Sequence, residues 1–276
     1  MVQGIMKDEG KLVSISQLCR WFGLARSTFY YHPQCRKQRA VDRELESIIG
    51  EIIDTNPGYG LRMITAIVRN RYHIKANRKK IHRIIKLNSW QVLRKPKGHR
   101  PRVKGWSSRT DTPDTRWAID TTHIFCGYDG WCHLTAIIDC CNRSIVGWRL
   151  SRSGIAKIAA SALEDALRFR RILSKDNSLC IRSDNGLVFG AKAFTKIVNQ
   201  YKIEQEFITP YSAEQNGMIE RFFRTIKEEC IWLNRFKSCD EAFVAISEWM
   251  DKYDKERPHS ALNYLTPAEF REKLAA

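Results

Sequence analysis

IRSDNGLVFGAKAFTKIVNQYKIEQEFITPYSAEQNGMIERFFRTIKEE, residues 181–229, is the stretch on which the reading of this chain turns. A short β-like run, Leu179 to Ser183, delivers Asp184 into an Asn185-Gly186 turn. The stretch closes on Gly217-Met218-Ile219-Glu220-Arg221-Phe222-Phe223, the first turns of a helix that carries Glu220. The two carboxylates have 35 residues between them. Upstream, Asp120 stands inside another strand-like run, Trp117 to Phe125. An acid in the middle of an apolar strand is costly to bury unless something compensates it. Three such acids brought together would repel one another, and a divalent cation is the natural compensation.

The flanking grammar says how they could meet. Strands are predicted at Arg116–Phe125, Trp131–Cys140 and Ser144–Leu150, joined by turns at Tyr128-Asp129-Gly130 and Cys141-Asn142-Arg143. A helix follows at Ile155–Leu173, then a strand at Leu179–Ser183, a helix at Ala191–Tyr201 and a strand at Ile203–Ile208. Helices at Gly217–Leu233 and Asp240–Tyr253 complete the series. The order βββαβαβα predicts an α/β layer on a mixed five-stranded sheet with helices on both faces. In such a sheet the Asp120 strand and the strand ending at Asp184 can lie side by side and parallel. The Gly217 helix can then bring Glu220 over the same edge. All three donors are oxygens, so the expected ion is hard: Mg²⁺, with Mn²⁺ as a substitute. Two such ions about 3.5–4 Å apart can activate one oxygen and stabilise another in phosphodiester displacement, with no side-chain nucleophile.

Neighbouring side chains carry weaker signals. Arg224 and Lys227 lie four and seven residues after Glu220, on its helical face, and could hold DNA near the metals. A solvent-facing lysine is the alternative. Asn216 is expected to set the loop and cap before the Glu220 helix, with DNA contact as a second role. Arg182 and Arg221 adjoin site residues and would balance charge. Asp129 and Asp139 are expected in turns, and Glu228 and Glu229 in solvent. His123 and His133 fall on neighbouring strands and could approach, but lack the spacing of a metal set.

Residues 1–110 hold 24 basic and 7 acidic residues, whereas residues 111–276 hold 23 of each. The excess of +17 therefore lies wholly in the N-terminal part. A strongly basic module joined to a neutral one points to a polyanion, nucleic acid before membrane. Residues 14–31 have helix-turn-helix grammar, with Ser16 as a cap, Gly23 in the turn, and Arg26, Ser27, Thr28 and Tyr30 where a recognition helix meets DNA. An ordinary αα-hairpin is the alternative, and the basic context favours DNA. Residues 40–54 carry a helical stripe of Leu45, Ile48, Ile49, Ile52 and Ile53, followed by helices at Leu61–Arg69 and Arg78–Leu87. In the last, Arg78, Lys79, Lys80 and Arg83 would face outward. From Lys75 to Thr110 there are 13 basic residues and no acidic one, as expected of a surface that tracks phosphates.

The domain plan that follows is a helix-turn-helix over 1–36, a second helical DNA-binding module over 37–92 and a basic linker over 93–112. A catalytic core over 113–233 and a helical tail over 234–276 complete it. Nine cysteines, an odd number with no C-x-x-C pair, indicate free thiols in a reducing cytoplasm rather than a zinc knuckle or disulfide framework. The start, MVQGIMKDEGK, lacks the apolar core of a signal peptide, and no run approaches ~18 apolar residues. The expectation is a soluble cytoplasmic protein with no membrane partner.

Several stretches together resemble the bacterial insertion-sequence transposases of the IS-three family, second-reading-frame product, within the DDE and retroviral-integrase superfamily. They are Trp117-Ala-Ile-Asp-Thr-Thr-His-Ile, Ile138-Asp-Cys-Cys-Asn-Arg-Ser-Ile-Val-Gly-Trp, Arg182-Ser-Asp-Asn-Gly and Asn216-Gly-Met-Ile-Glu-Arg-Phe-Phe-Arg-Thr-Ile-Lys, with the tail Arg257-Pro-His-Ser-Ala-Leu-Asn-Tyr-Leu-Thr-Pro-Ala-Glu-Phe. The resemblance implies an RNase-H-like core with Asp120, Asp184 and Glu220 as catalytic residues and ligands of two metal ions. It implies cleavage at the 3′ end of an element, transfer of that strand to target DNA, and homo-oligomers on paired ends. It also implies a bacterial, nucleoid-associated protein. An upstream-frame protein bearing a leucine zipper is a further implied partner, since no sustained heptad is found here. Two other functions fit the same residues: a DNA-binding regulator without chemistry, and a structure-selective nuclease that cuts but never joins. The charge disfavours a carboxylate-pair glycosidase.

Overall fold

A computed structural model describes residues 13–31, 40–92, 109–172, 178–209 and 213–275. The predicted basic linker falls for the most part outside these residues. The chain divides into two compact units, Met1–Asp42 and Arg43–Ala276.

In the first unit, α1 (Ile15–Trp21) and α2 (Arg26–Phe29) flank a turn at Gly23. Gly23 has φ +60°, a conformation in which a Cβ is strained, so the predicted turn residue has a reason to be glycine. The cap of α1 is Ser14, not Ser16. Its hydroxyl accepts from the Gln17 amide while the Gln17 side chain accepts from the Ser14 amide, a reciprocal capping box. Ser16 lies inside the helix.

The second unit begins with α3 (Arg43–Thr55), α4 (Leu61–Asn70) and α5 (Arg78–Leu87). Their apolar stripes meet in a core that includes Leu45, Ile49, Ile52, Ile64, Ile81 and Ile84. Next comes the sheet: β1 (Arg116–Phe125), β2 (Trp131–Asp139), β3 (Ile145–Ser151), β4 (Cys180–Ser183) and β5 (Glu204–Phe207), in spatial order β3-β2-β1-β4-β5. The first three strands form antiparallel hairpins, and β4 and β5 run parallel to β1. The crossover from β3 to β4 is α6 (Ala156–Phe169). Between β4 and β5 lie the short α7 (Leu187–Gly190) and α8 (Lys192–Gln200). After β5 come α9 (Gly217–Glu229), α10 (Cys239–Lys255) and α11 (Pro267–Ala275). This is a mixed five-stranded sheet with helices packed on both faces, as the order of elements predicted.

Alternation along β1 splits the core in two. Trp117 and Ile119 pack with Ala162, Leu163 and Leu167 of α6 and Phe194 of α8. Ala118 and Ile124 pack with Ile219, Phe222 and Ile226 of α9 and with Ile246 and Met250 of α10. Asp120 shares the second face. The eight described cysteines are all buried and free. Among the described residues, no helix is long and apolar enough to cross a membrane.

Several boundaries differ from the periodicity. The Gly217 helix stops at Glu229, and Ile231–Leu233 form a separate 3-10 turn. The helix after β3 starts at Ala156 and ends at Phe169. Helix α7 was not expected, and α11 falls within the predicted helical tail without having been placed in it. The second had a legible signal, Thr266-Pro267-Ala268-Glu269, which folds as a capping box with proline at the first helical position.

Candidate active site

The parallel ladder between β1 and β4 pairs Trp117 with Ile181 and Ala118 with Arg182. Continued by two residues, this register sets Asp120 level with Asp184, one strand apart. Asp184 is the first residue after β4. Its Oδ1 accepts the Gly186 amide at 3.0 Å, which shapes the turn. A Cβ on Gly186 would come within 2.9 Å of that oxygen, so any larger residue would have to shift the Asp184 carboxylate. The Asn185 side chain donates to the Ile208 carbonyl at 2.9 Å and ties the turn to the end of β5.

Glu220 enters from the first turn of α9, beside the buried Ile219 that seats this helix on the sheet. Burial is the main force that pushes the Asp120 carboxyl up to about 6. The charges of Asp184 and Glu220 push the same way, while the Thr121 amide and the Lys227 ammonium oppose them. Fold and electrostatics thus bring the predicted trio and Lys227 into one neighbourhood. Among the described residues, however, no three His, Cys, Asp or Glu side chains converge closely enough to form a ready metal cage. The donor set is all carboxylate, which suits a hard divalent cation, and the mutual repulsion on Asp120 is the kind a cation relieves.

The remaining predicted contacts divide. Lys227 is half-buried beside the acids. Arg224 is exposed but bonded to Glu228 at 2.7 Å. Asn216 is buried, makes no side-chain cap bond to α9, and its Oδ1 finds no partner among the described residues. Arg78, Lys79 and Lys80 are exposed on α5, and Arg83 is half-buried there. Arg26, Ser27 and Thr28 are exposed in the first unit. His123 and His133 do face each other across β1 and β2, ring centroids 4.6 Å apart, and among the described residues no third His, Cys, Asp or Glu joins them in a metal-holding group.

Two readings need correction. Glu229 is not solvated: it takes a two-pronged bond from Arg257 at 2.8 and 2.7 Å, with both side chains mostly buried. Arg182 does more than balance charge. It is 3% exposed, forks onto Glu206 of β5 at 3.0 and 2.8 Å, and donates to the Gln215 carbonyl at 2.9 Å. The Asp184 strand, β5 and the approach to the Glu220 helix are thereby fastened together. Burial alone would raise the Glu206 carboxyl, but the Arg182 fork, helped by Arg116, holds it below the usual range. The signal was an arginine in a short buried strand, which demands an acid partner nearby.

The chain is similar to several known families and proteins. Two Integrase core domain families match residues 110–213 and 201–267, and an HTH-like domain family matches residues 40–98. The chain is 25% identical to the putative transposase InsK of insertion element IS150 from Escherichia coli, over 97% of this chain and 96% of that protein. It is 26% identical to an uncharacterized 31.7 kDa protein of element IS407 from Burkholderia multivorans, over 96% and 92%. It is also 26% identical to the transposase InsD of element IS2 from Escherichia coli, over 87% and 82%. Among solved structures, the catalytic core of BIV integrase aligns with TM-score 0.41 and 16% identity, over 59% of this chain and 97% of that one. The HTLV-2 integrase catalytic core in complex with magnesium aligns with TM-score 0.40 and 18% identity, over 57% and 94%.

Proposed function

We propose, from the premise that this chain is an insertion-sequence transposase of the DDE superfamily, that Asp120, Asp184 and Glu220 form its catalytic centre. DNA transposition is the function of the integrase core; which residues perform it, and by what steps, is our reading. The observation that carries it is that Asp120 on β1 and Asp184, just past the end of the parallel β4, fall level when the register is continued, with Glu220 close by on the first turn of α9.

The family uses divalent metal, and the three carboxylates would hold it here as a pair of Mg²⁺ ions, with Mn²⁺ able to substitute. When bound, such ions supply Lewis-acid activation of the attacking oxygen and neutralise charge on the leaving one. In the first step a water oxygen attacks phosphorus at the element's end, one P–O bond forms, and the 3′ oxygen leaves as a hydroxyl. In the second, that 3′-OH attacks a target phosphodiester and displaces the target's own 3′ oxygen. One P–O bond forms as one breaks, so no outside energy source is required. Lys227, whose charge is felt at Asp120, would hold a phosphate against the acids. Arg224 would join it on leaving Glu228.

The DNA-binding side comprises the HTH-like module, with Arg78, Lys79, Lys80 and Arg83 of α5 on phosphates, and Arg26, Ser27 and Thr28 of α2 on DNA. Asn216 would act through the loop that starts α9. The partners are element ends, target DNA, further copies of the chain on paired ends, and an upstream-frame protein, at the bacterial nucleoid.

Asp120→Asn, Asp184→Asn and Glu220→Gln should each abolish Mg²⁺-dependent joining of labelled end DNA, by at least about 10³-fold if electrostatic stabilisation is the main contribution. Circular dichroism should remain native. Full joining activity in any of the three would end this assignment, and cutting without joining in the wild type would favour a nuclease.

A further inference from the structure

A cleft of about 580 Å³ lies between the α3–α5 module and the sheet domain. Its described lining includes Arg62, Arg143, Arg221 and Arg257, with no aspartate or glutamate. Arg257 is neutralised by Glu229. Arg62, Arg143 and Arg221 form no ion pair among the described residues. His259, also on the lining, is held well below its ordinary value, by burial first and by Arg257 and Arg143 next, so it is neutral. The unmet charge is therefore that of three guanidiniums.

Arg143 is half-buried in the β2–β3 turn. Burial disfavours its charge, Tyr253 opposes that, and the like charges of Arg109 and Arg221 add to it. A fold that seats arginines together without an acid bears a repulsion that an anion would relieve. Planar guanidinium forks suit phosphate oxygens in particular. The walls are apolar and aromatic, with Trp90 and Met63 on one side and Met218 and Phe222 on the other.

The position matters as well as the charge. Met218, Arg221, Phe222 and Thr225 line the cleft from α9, a spacing that defines one helical face. Glu220 stands on a different face of the same helix. A helix is about 10 Å across, so a strand held here would pass within a few nucleotides of the acids.

We infer that this cleft is a DNA phosphate-binding site, in which Arg62 from the helical module and Arg143 and Arg221 from the core clamp the backbone of the strand that leads to the catalytic acids. The inference rests on the DNA-transposase reading above.

The test uses the full chain and a fluorescein-labelled duplex of arbitrary sequence, with binding followed by anisotropy between about 50 and 200 mM KCl. Arg62→Gln, Arg143→Met and Arg221→Gln keep the aliphatic stems and remove the charge. Each should lower the slope of log affinity against log salt by about 1 and weaken binding evenly across sequences. Without DNA, each should melt at or above the wild-type temperature, because like charges have been separated. An unchanged slope overturns the inference, as does a slope that falls only together with a lowered melting temperature in DNA-free protein. If the wild type itself shows no salt-dependent binding, the transposase reading falls too. If the wild type binds and the variants match it, only the clamp falls.

Discussion

Asp139 ends β2 and both of its oxygens accept main-chain amides, Oδ2 from Asp114 at 2.9 Å and Oδ1 from Cys141 at 2.8 Å. The sequence marked it as a turn residue rather than a ligand, and this is its place. Asp139→Ala would leave two sequestered amides unmet and should cost about 2–4 kcal/mol in urea unfolding. Burial pushes the Asp139 carboxyl up to about 6, against the pull of those amides. A carboxyl raised in the folded state contributes stability that is full below its unfolded value near ~4 and is lost as pH rises through the folded one. The stability gap between wild type and Asp139→Ala should therefore shrink as pH climbs from about 4 to about 7, and a constant gap would refute the shift. Asp120, Asp184 and Glu220 could be picked out because an acid in an apolar run needs a reason. Arg182 and Glu229 were misjudged because their partners, Glu206 and Arg257, lie 24 and 28 residues away. No local pattern encodes such pairings.

Helix α6 lies directly on β3 at Gly147, where a Cβ would meet the Ala162 carbonyl oxygen at 2.7 Å and the Ala166 Cβ at 2.8 Å. The glycine and the facing alanines form one contact. Gly147→Ala should lift the helix and cost roughly 1–3 kcal/mol, read as a lower melting temperature with unchanged far-ultraviolet dichroism. Loss of less than a few tenths of a kcal/mol would show that the helix can slide to make room. At this scale the hairpins and the crossover were legible, since strand alternation and helical stripes are strong signals. The ends were not. Arg116–Phe125 was read to the residue, while the helix through Glu220 was carried four residues too far. Cys230 breaks it with φ −132° because the following chain must turn Ile231 into the core. That demand is tertiary, not periodic.

The helical module and the sheet domain meet around Arg257, whose guanidinium binds Glu229 and lies 6.0 Å from the centroid of the Tyr59 ring. Arg71 adds a bond to the Glu256 carbonyl. Arg257→Ala would strand the Glu229 carboxylate and should cost about 3–5 kcal/mol, with amide exchange rising first at the junction near Tyr59. Uniform acceleration through the β1–β2 hairpin instead would place the loss in the core. The charge imbalance foretold a nucleic-acid partner for the N-terminal part, and composition alone carried that. It could not foretell that arginines of the neutral half would join the basic half across a cleft, because net charge has no direction. The β1–β4 ladder ends at Ala118 and Arg182, two residues before either aspartate. Past that point, among the described residues, no ladder pair fixes one strand against the other, so on the proposed reading the separation of Asp120 and Asp184 follows from the strand ends and the Asn185-Gly186 turn.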